Sequence, residues 1–362
     1  MESGRQGAPE DEGGAAYTGP HRHVRRRRVG MREVAERAGV AISSVSRTLS
    51  GHPDVSEEMR EQVMAAVSEL GYKPDLLAQG LRSRSSLSIG FVAGDISNPL
   101  FAQIARGAEV KLRENEYSML LTNSLVEPDL DRQNIELLEQ RRADGLIVLL
   151  VSETHEPTLN ALANLTVPLV VVERDLPPRI HASKVVSDHA AGVSAAVEHL
   201  LELGHRRIAI IGGPDVRPTR QRLESAERVL AERGLDPSSL IARNGLFSEE
   251  HGVQATAEML NLPEPPTALI AGSNQIMAGA LQVISERGLE LGRELSFIGY
   301  DDIAVAKVYR PPISVVERDL VAIGEAAAEL LLTHVRDHNT EPREVVLPTR
   351  YIRRGSCGPA PN

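Results

Sequence analysis

Apolar positions between residues 31 and 71 recur at the spacing of short helices. Val34, Ala35 and Ala38 share one face, and Gly39 stands where a helix end favours a left-handed residue, which predicts a helix over 32–38. A second helix is predicted over 42–49, with Val45 and Leu49 inward and Ile42, Ser43, Ser46 and Arg47 partly or wholly outward. Asp54, Val55, Ser56, Glu57 and Glu58 then supply a capping serine and an acidic first turn. They open a helix that runs to Leu70, with Met59, Val63, Ala66, Val67 and Leu70 as its inward stripe. Two short helices around a tight glycine turn, followed by a third, describe a helix-turn-helix.

From Leu87 the pattern changes to short β-branched runs separated by amphipathic stretches. Strands are predicted over 88–93, 118–122, 145–151, 168–172, 207–211, 268–271 and 296–300, with helices such as 101–115, 129–141, 190–203 and 273–287 between them. Regular strand and helix alternation implies parallel sheets covered on both faces. About 260 residues of it exceeds what one core usually serves and predicts two lobes.

Composition adds boundaries. Hydrophobic residues make up 41% and charged residues 25% of the chain, and no stretch approaches the roughly 18 apolar residues of a membrane span. The glycine-rich, acidic first 20 residues hold almost no large apolar side chain, which predicts disorder up to the basic run Arg25-Arg26-Arg27-Arg28. They also lack the apolar core of a secretory signal, so a cytoplasmic location is expected. The single cysteine, Cys357, excludes an intrachain disulfide framework.

A net charge of −10 argues against a nucleic-acid binder only if taken as one number. Residues 21–84 carry twelve Lys and Arg against eight acids, whereas residues 1–20 carry one against four; the rest of the chain therefore holds eleven surplus acids. A basic module on an acidic body suits contact with phosphate at one end only.

The residues Val34-Ala35-Glu36-Arg37-Ala38-Gly39-Val40, Val45-Ser46-Arg47, Val55-Ser56-Glu57-Glu58-Met59-Arg60 and Leu70-Gly71-Tyr72-Lys73-Pro74 closely resemble the N-terminal signature of the lactose/galactose repressor family. Further landmarks follow in register: Asp95-Ile96-Ser97-Asn98-Pro99-Leu100-Phe101, Ala143-Asp144-Gly145-Leu146-Ile147, Gly204-His205-Arg206-Arg207-Ile208, Gly299-Tyr300-Asp301-Asp302 and Leu347-Pro348-Thr349-Arg350. The resemblance covers about residues 29–358.

It implies an all-α helix-turn-helix domain and a two-lobed α/β core of the type I periplasmic-binding-protein kind. The expected divisions are a tail over 1–28, the DNA-binding domain over 29–73, a hinge or linker over 74–86 and a core over 87–358. Within the core, lobe 1 would comprise 87–187 and 316–343, and lobe 2 would comprise 188–315 and 344–358.

The resemblance further implies a homodimeric, effector-controlled regulator, most simply a repressor, on a near-palindromic operator. Its second helix would enter the major groove. There Arg47 can bind guanine bidentately, Ile42 can meet a thymine methyl, and the hydroxyls of Ser43, Ser44 and Ser46 can bond bases or phosphates. Ala41 stands where a serine is common and removes one capping oxygen. Leu81 matches the hinge leucine that wedges into a central base step, amid polar or small neighbours.

For the effector, a small polar molecule such as a sugar, the matching positions are Arg222 and Asp301 as polar clamps, Glu173 and Asn274 in the cleft, and Leu100 and Phe101 as an apolar wall or as core. Three departures point to unusual pocket chemistry. Ser273-Asn274 replaces a common Asn-Asp pair, Asp188-His189 replaces Asp-Asn, and Ser225 stands in place of a glycine. No cofactor or metal is implied.

Competing readings are weaker. A transport solute-binding protein would share the core but has no use for the first 84 residues. A nucleotide-binding enzyme needs a glycine-rich turn after its first strand, and Ile89-Gly90-Phe91-Val92-Ala93-Gly94-Asp95 lacks it. No nucleophile and base arrangement is visible, and His205 reads as a structural turn residue, so an enzyme is not expected.

Overall fold

A computed structural model of the chain describes residues 29–49, 51–72, 85–337 and 339–361; Leu81 and the basic run at 25–28 lie outside them. The described residues fall into two compact units, one up to residue 72 and one from 85 onward.

The first unit is three helices, α1 (Met31–Ala38), α2 (Ile42–Leu49) and α3 (Glu57–Leu70). The Glu33 carboxylate accepts the Gly30 N–H at 2.9 Å, and Ser56 Oγ accepts the Met59 N–H at 3.3 Å, so two helix starts are capped by side chains. Gly39, at φ 66°, ends α1 in the left-handed region, which makes the tight turn into α2 possible. Val34, Ala35, Val45, Val63, Ala66 and Tyr72 form the core, with Met59, Val67 and Leu70 packed against it.

The second unit is a sheet system. Its strands are β1 (Ser88–Ala93), β2 (Ser118–Asn123), β3 (Gly145–Val148), β4 (Leu169–Val172), β5 (Ser183–Asp188), β6 (Ile208–Gly212), β7 (Ile241–Asn244), β8 (Ala268–Ala271), β9 (Ser296–Tyr300), β10 (Ser314–Arg318) and β11 (Glu344–Ile352). Between them run α4 (Pro99–Glu114), α5 (Pro128–Gln140), α6 (Glu156–Ala163), α7 (His189–Glu202), α8 (Arg217–Glu232), α9 (Glu249–Leu260), α10 (Asn274–Glu286), α11 (Ala304–Val308) and α12 (Leu320–Arg336). The strand order is β2-β1-β3-β4-β5-β11-β10-β9-β8-β6-β7.

Two lobes share this order. Strands β1 to β5 and the start of β11 make one. Its two faces bury separate cores, Ile89, Phe91, Ile104 and Leu331 under α4 and α12, and Val92, Ile135, Leu138 and Leu159 under α5 and α6. Strands β6 to β10 and the end of β11 make the other. It is covered by α9 and α10 on one face and by α7 and α8 on the opposite face.

All pairings are parallel except β10 with β11, which is antiparallel. The sequence missed β5, β7, β10 and β11. Each offers few consecutive apolar residues, and β7 is a half-exposed edge strand.

The expected lobe limits at 316 and 344 shift for a physical reason. β10 pairs with β9 through Val316, so 314–318 stays whole in the second lobe. β11 pairs with β5 over residues 344–348 and with β10 over 349–352, so it changes lobes within the strand, at Pro348 and Thr349. The chain crosses between lobes at three neighbouring places. Pro348 is opposite Asp188, Thr349 is opposite Arg318, and Thr349 Oγ1 donates to the Asp188 carbonyl at 2.6 Å.

In the first lobe α4 and α12 touch backbone to backbone. A methyl group on Gly107 would collide with the Val321 carbonyl, and one on Gly324 would collide with that of Ile104.

Candidate functional site

Two surfaces bear on function, and each is built by its own unit. On α2 the side chains of Ile42, Ser43 and Arg47 are exposed, Ser44 and Ser46 are half-buried, and Val45 and Thr48 are buried. Ile42 is 45% exposed, so its apolar side chain is open to solvent on the outward face of α2. The Ala41 carbonyl accepts the first N–H groups of α2, from Ser44 at 2.9 Å and from Val45 at 3.2 Å.

The second surface is a cavity of about 350 Å3 between the lobes, at the carboxyl ends of the strands. Leu100, Phe101, Glu173, Arg222 and Asn274 line it together with Asn98, Arg174 and Arg318. Leu100 and Phe101, which the sequence left as wall or core, do both, since each also packs on the first lobe's core.

Glu173 follows β4 and Asp301 follows β9, and both adopt left-handed backbone, at φ 58° and 64°. Non-glycine residues held there store strain, and these two stand at equivalent strand ends of the two lobes.

The expected ligand contact at Asp301 is not what the structure builds. Its buried carboxylate is not on the cavity wall and instead receives both Nε and Nη2 of Arg318, each at 2.8 Å. The left-handed turn aims it at the neighbouring strand, and the lining group is Arg318. Sequence reading passed over Arg318 because it ends a strand with only two apolar residues. Arg318 also lies 3.6 Å from Glu173, whose carboxylate accepts from Ser187 Oγ and, at 3.0 Å, from His189 Nε2. Burial works against ionised Glu173, but His189, Arg318 and the Ser187 hydroxyl outweigh it and hold its carboxyl well below the ordinary range.

His189 is fully buried. Burial and the nearby Arg222 push its pKa down to about 4, so the ring is neutral. A neutral ring that donates from Nε2 to Glu173 accepts the Tyr300 hydroxyl at Nδ1, 2.7 Å away.

Arg222 is held differently. One Nη donates to the Gly272 carbonyl, Nε is buried without an acceptor, and the guanidinium lies 3.8 Å from the centroid of the Tyr300 ring. A desolvated cation over an aromatic face gains about 2 kcal/mol. Burying an ion costs several, so the ring offsets only part of the charge.

Contacts across the cleft close it. Asn274 Nδ2 donates to Asn98 Oδ1 at 2.7 Å, Arg220 reaches Glu153 at 2.7 Å, and Arg217 reaches Asp175 at 2.9 Å. His205 is structural, as read, with Nδ1 at 2.8 Å from Thr267 Oγ1 and Nε2 at 2.8 Å from Ser296 Oγ.

Comparison with known proteins decides the family. Residues 30–75 match the model for bacterial regulatory proteins of the lacI family, and residues 197–357 match a periplasmic binding protein-like domain. The chain is 32% identical to the ribose operon repressor of Escherichia coli (strain K12) over 330 residues, which is 90% of this chain and 99% of that protein. The chain belongs to the lacI family.

It is also 31% identical to the HTH-type transcriptional repressor PurR of Haemophilus influenzae over 84% of this chain and 90% of that one. The lac repressor dimer bound to operator and an anti-inducer superposes with a TM-score of 0.80 at 28% identity, covering 91% of this chain and 99% of that one. Members of the lacI family are DNA-binding repressors controlled by small effectors and are not enzymes. Among the described residues no helix is long and apolar enough to cross a membrane, and no cluster of metal-ligating side chains forms.

Proposed function

We propose that this lacI-family chain acts in the cytoplasm as a homodimeric repressor, reading a near-palindromic operator through α2 and responding to a small polar effector in the interlobe cavity. The observation that carries the effector half is the cavity itself, walled by both lobes and clasped by the Asn98 to Asn274 bond, so that its filling couples the two lobes. Arg222, Asn274 and Glu173 supply its polar wall, Leu100 and Phe101 its apolar wall, and Asp301 acts through Arg318.

On the DNA side Ile42, Ser43 and Arg47 form the outward surface of α2, with Ser44 and Ser46 at its margin. The helical unit separates this reading from that of a solute-capture protein, which needs only the lobes. Operators selected from random duplexes by the purified protein provide the test. Arg47→Ala is expected to cost about 1 to 3 kcal/mol on the selected site and to relax one base position per half-site. An equal loss on operator and random DNA would refute base reading by Arg47.

A further inference from the structure

Where the chain enters the first lobe, a single carboxylate gathers it. Asp144 stands just before β3, and its two oxygens accept from three successive residues: Ser85 Oγ at 2.5 Å, the Ser86 N–H at 2.8 Å, Ser86 Oγ at 3.1 Å and the Leu87 N–H at 2.9 Å. Bonds to an ionised acceptor are the stronger kind, and here four of them hold one short stretch of chain. Ser85 is the first described residue of the second unit, so this stretch is where the chain coming from the three helices meets the sheet.

The carboxylate is itself fixed in place. The Asp144 N–H donates to the Ser88 carbonyl at 2.8 Å, and the Ser118 N–H donates to the Leu87 carbonyl at 2.8 Å, which ties the clasp to the amino ends of β1, β2 and β3. The Tyr117 hydroxyl bonds Ser85, while the Tyr117 ring packs on the first lobe's core.

This arrangement sets a direction. Consecutive N–H groups face one acceptor where the backbone turns, and Leu87 takes the turn in the left-handed region, at φ 50°. Leucine is strained there, and its side chain is 40% exposed, so packing does not call for the conformation. The carboxylate does. Without it, residues 85–87 would return to extended backbone in line with β1, and the chain would leave the lobe along a different path.

We propose that Asp144 is a positioning residue for operator binding: by clasping Ser85, Ser86 and Leu87 it fixes the direction in which the chain leaves the first lobe toward the three helices, and thereby the separation at which a dimer presents its two α2 helices. The inference rests on the reading of the chain as a dimeric repressor. Asp144 is not on the cavity wall, so its part is distinct from effector contact.

Asp144→Asn tests it, because the amide keeps the size of the side chain, removes the charge and turns an NH2 group toward the Ser86 and Leu87 N–H groups. Full-length parent and variant are titrated, at one salt concentration, with the operator that the parent selects, with the same duplex after its half-sites are moved apart by two base pairs, and with random duplex. The variant should bind the operator about tenfold or more weakly and lose less than the parent on the lengthened duplex. Binding to random DNA should match the parent, since it depends on phosphate contacts. The spacing preference is the readout that a merely stabilising role of Asp144 would leave unmoved. Ser85→Ala combined with Ser86→Ala keeps both N–H donors and should shift operator affinity and spacing preference in the same direction by less, which keeps the test open if Asp144→Asn fails to fold. Leu87→Gly accepts the turn without strain and should behave as the parent.

Operator affinity and spacing preference that stay at the parent's values in every folded clasp variant overturn the proposal, as does an equal loss on operator and random DNA. A loss in Leu87→Gly as large as in Asp144→Asn also overturns it, because the leucine side chain would then be the contact that matters. A parent that selects no operator overturns the repressor reading itself, and the role of Asp144 with it.

Discussion

Arg318→Ala should lower the stability of the two-lobed unit by about 3 to 5 kcal/mol, more than any other single change to the cleft. The arginine is 8% exposed and is the counter-charge of two buried carboxylates, Asp301 at 2.8 Å and Glu173 at 3.6 Å. Its removal strands both, and each must then take up a proton or draw water into the floor of the cleft. Arg318→Lys should recover little of the loss, because an ammonium cannot reproduce the two parallel bonds to Asp301. Chemical denaturation of the parent, Arg318→Ala and Asp301→Asn measures this. Asp301→Asn should cost less, since the amide keeps one acceptor and leaves Glu173 to balance the guanidinium. A loss under 1 kcal/mol for Arg318→Ala would show that the pair is solvated and that the cleft is open in solution.

Acidification should weaken the same unit through His189. Its pKa is about 4 in the fold against 6.5 for an ordinary histidine, so between those values the unfolded chain binds the extra proton and the folded chain resists it. Stability therefore rises with pH across this window. On lowering the pH it begins to fall near 6.5, and the share due to His189 levels off near 4 at about 3 kcal/mol. His199, His205 and His334 are also pushed down by burial and act in the same direction. Asp131, pushed up by burial, acts oppositely at the acid end. Glu173 stays ionised in the fold while the unfolded chain takes up its proton around the ordinary carboxyl value, so it adds to the loss at the acid end of the window. Denaturation curves at pH 7, 6, 5 and 4.5 check the slope, and His189→Asn, which can still bridge Glu173 and Tyr300, should flatten it. An unchanged slope in that variant would place the titration elsewhere.

How much of this was legible in the sequence follows from what each signal depends on. The three N-terminal helices and seven strands could be read because periodicity and glycine stops are local. β5 and β10 escaped because Ser183-Lys184-Val185-Val186-Ser187-Asp188 and Ser314-Val315-Val316-Glu317-Arg318 dilute two apolar residues with polar ones. Their strand character comes from neighbours on both sides of the sheet.

The cleft was legible where a motif carried it, as at Arg222, and illegible where partnership decides the role. Asp301 and Arg318 are seventeen positions apart along the chain, and no spacing rule tells that one neutralises the other. His189 showed only as a departure from Asn; its two buried partners, Glu173 and Tyr300, come from different lobes.

The strand that changes lobes at Thr349 bears on cooperativity. Asp188, Arg318 and Thr349 bind the three crossings side by side, so melting one lobe would strip the other of an inner strand or its anchor. Neither lobe is then a separate foldon. The lobes can pivot about this junction while all three crossings stay paired, so the work of closing a ligand into the cleft reaches both lobes at one shared point, with no slack loop between them to absorb it.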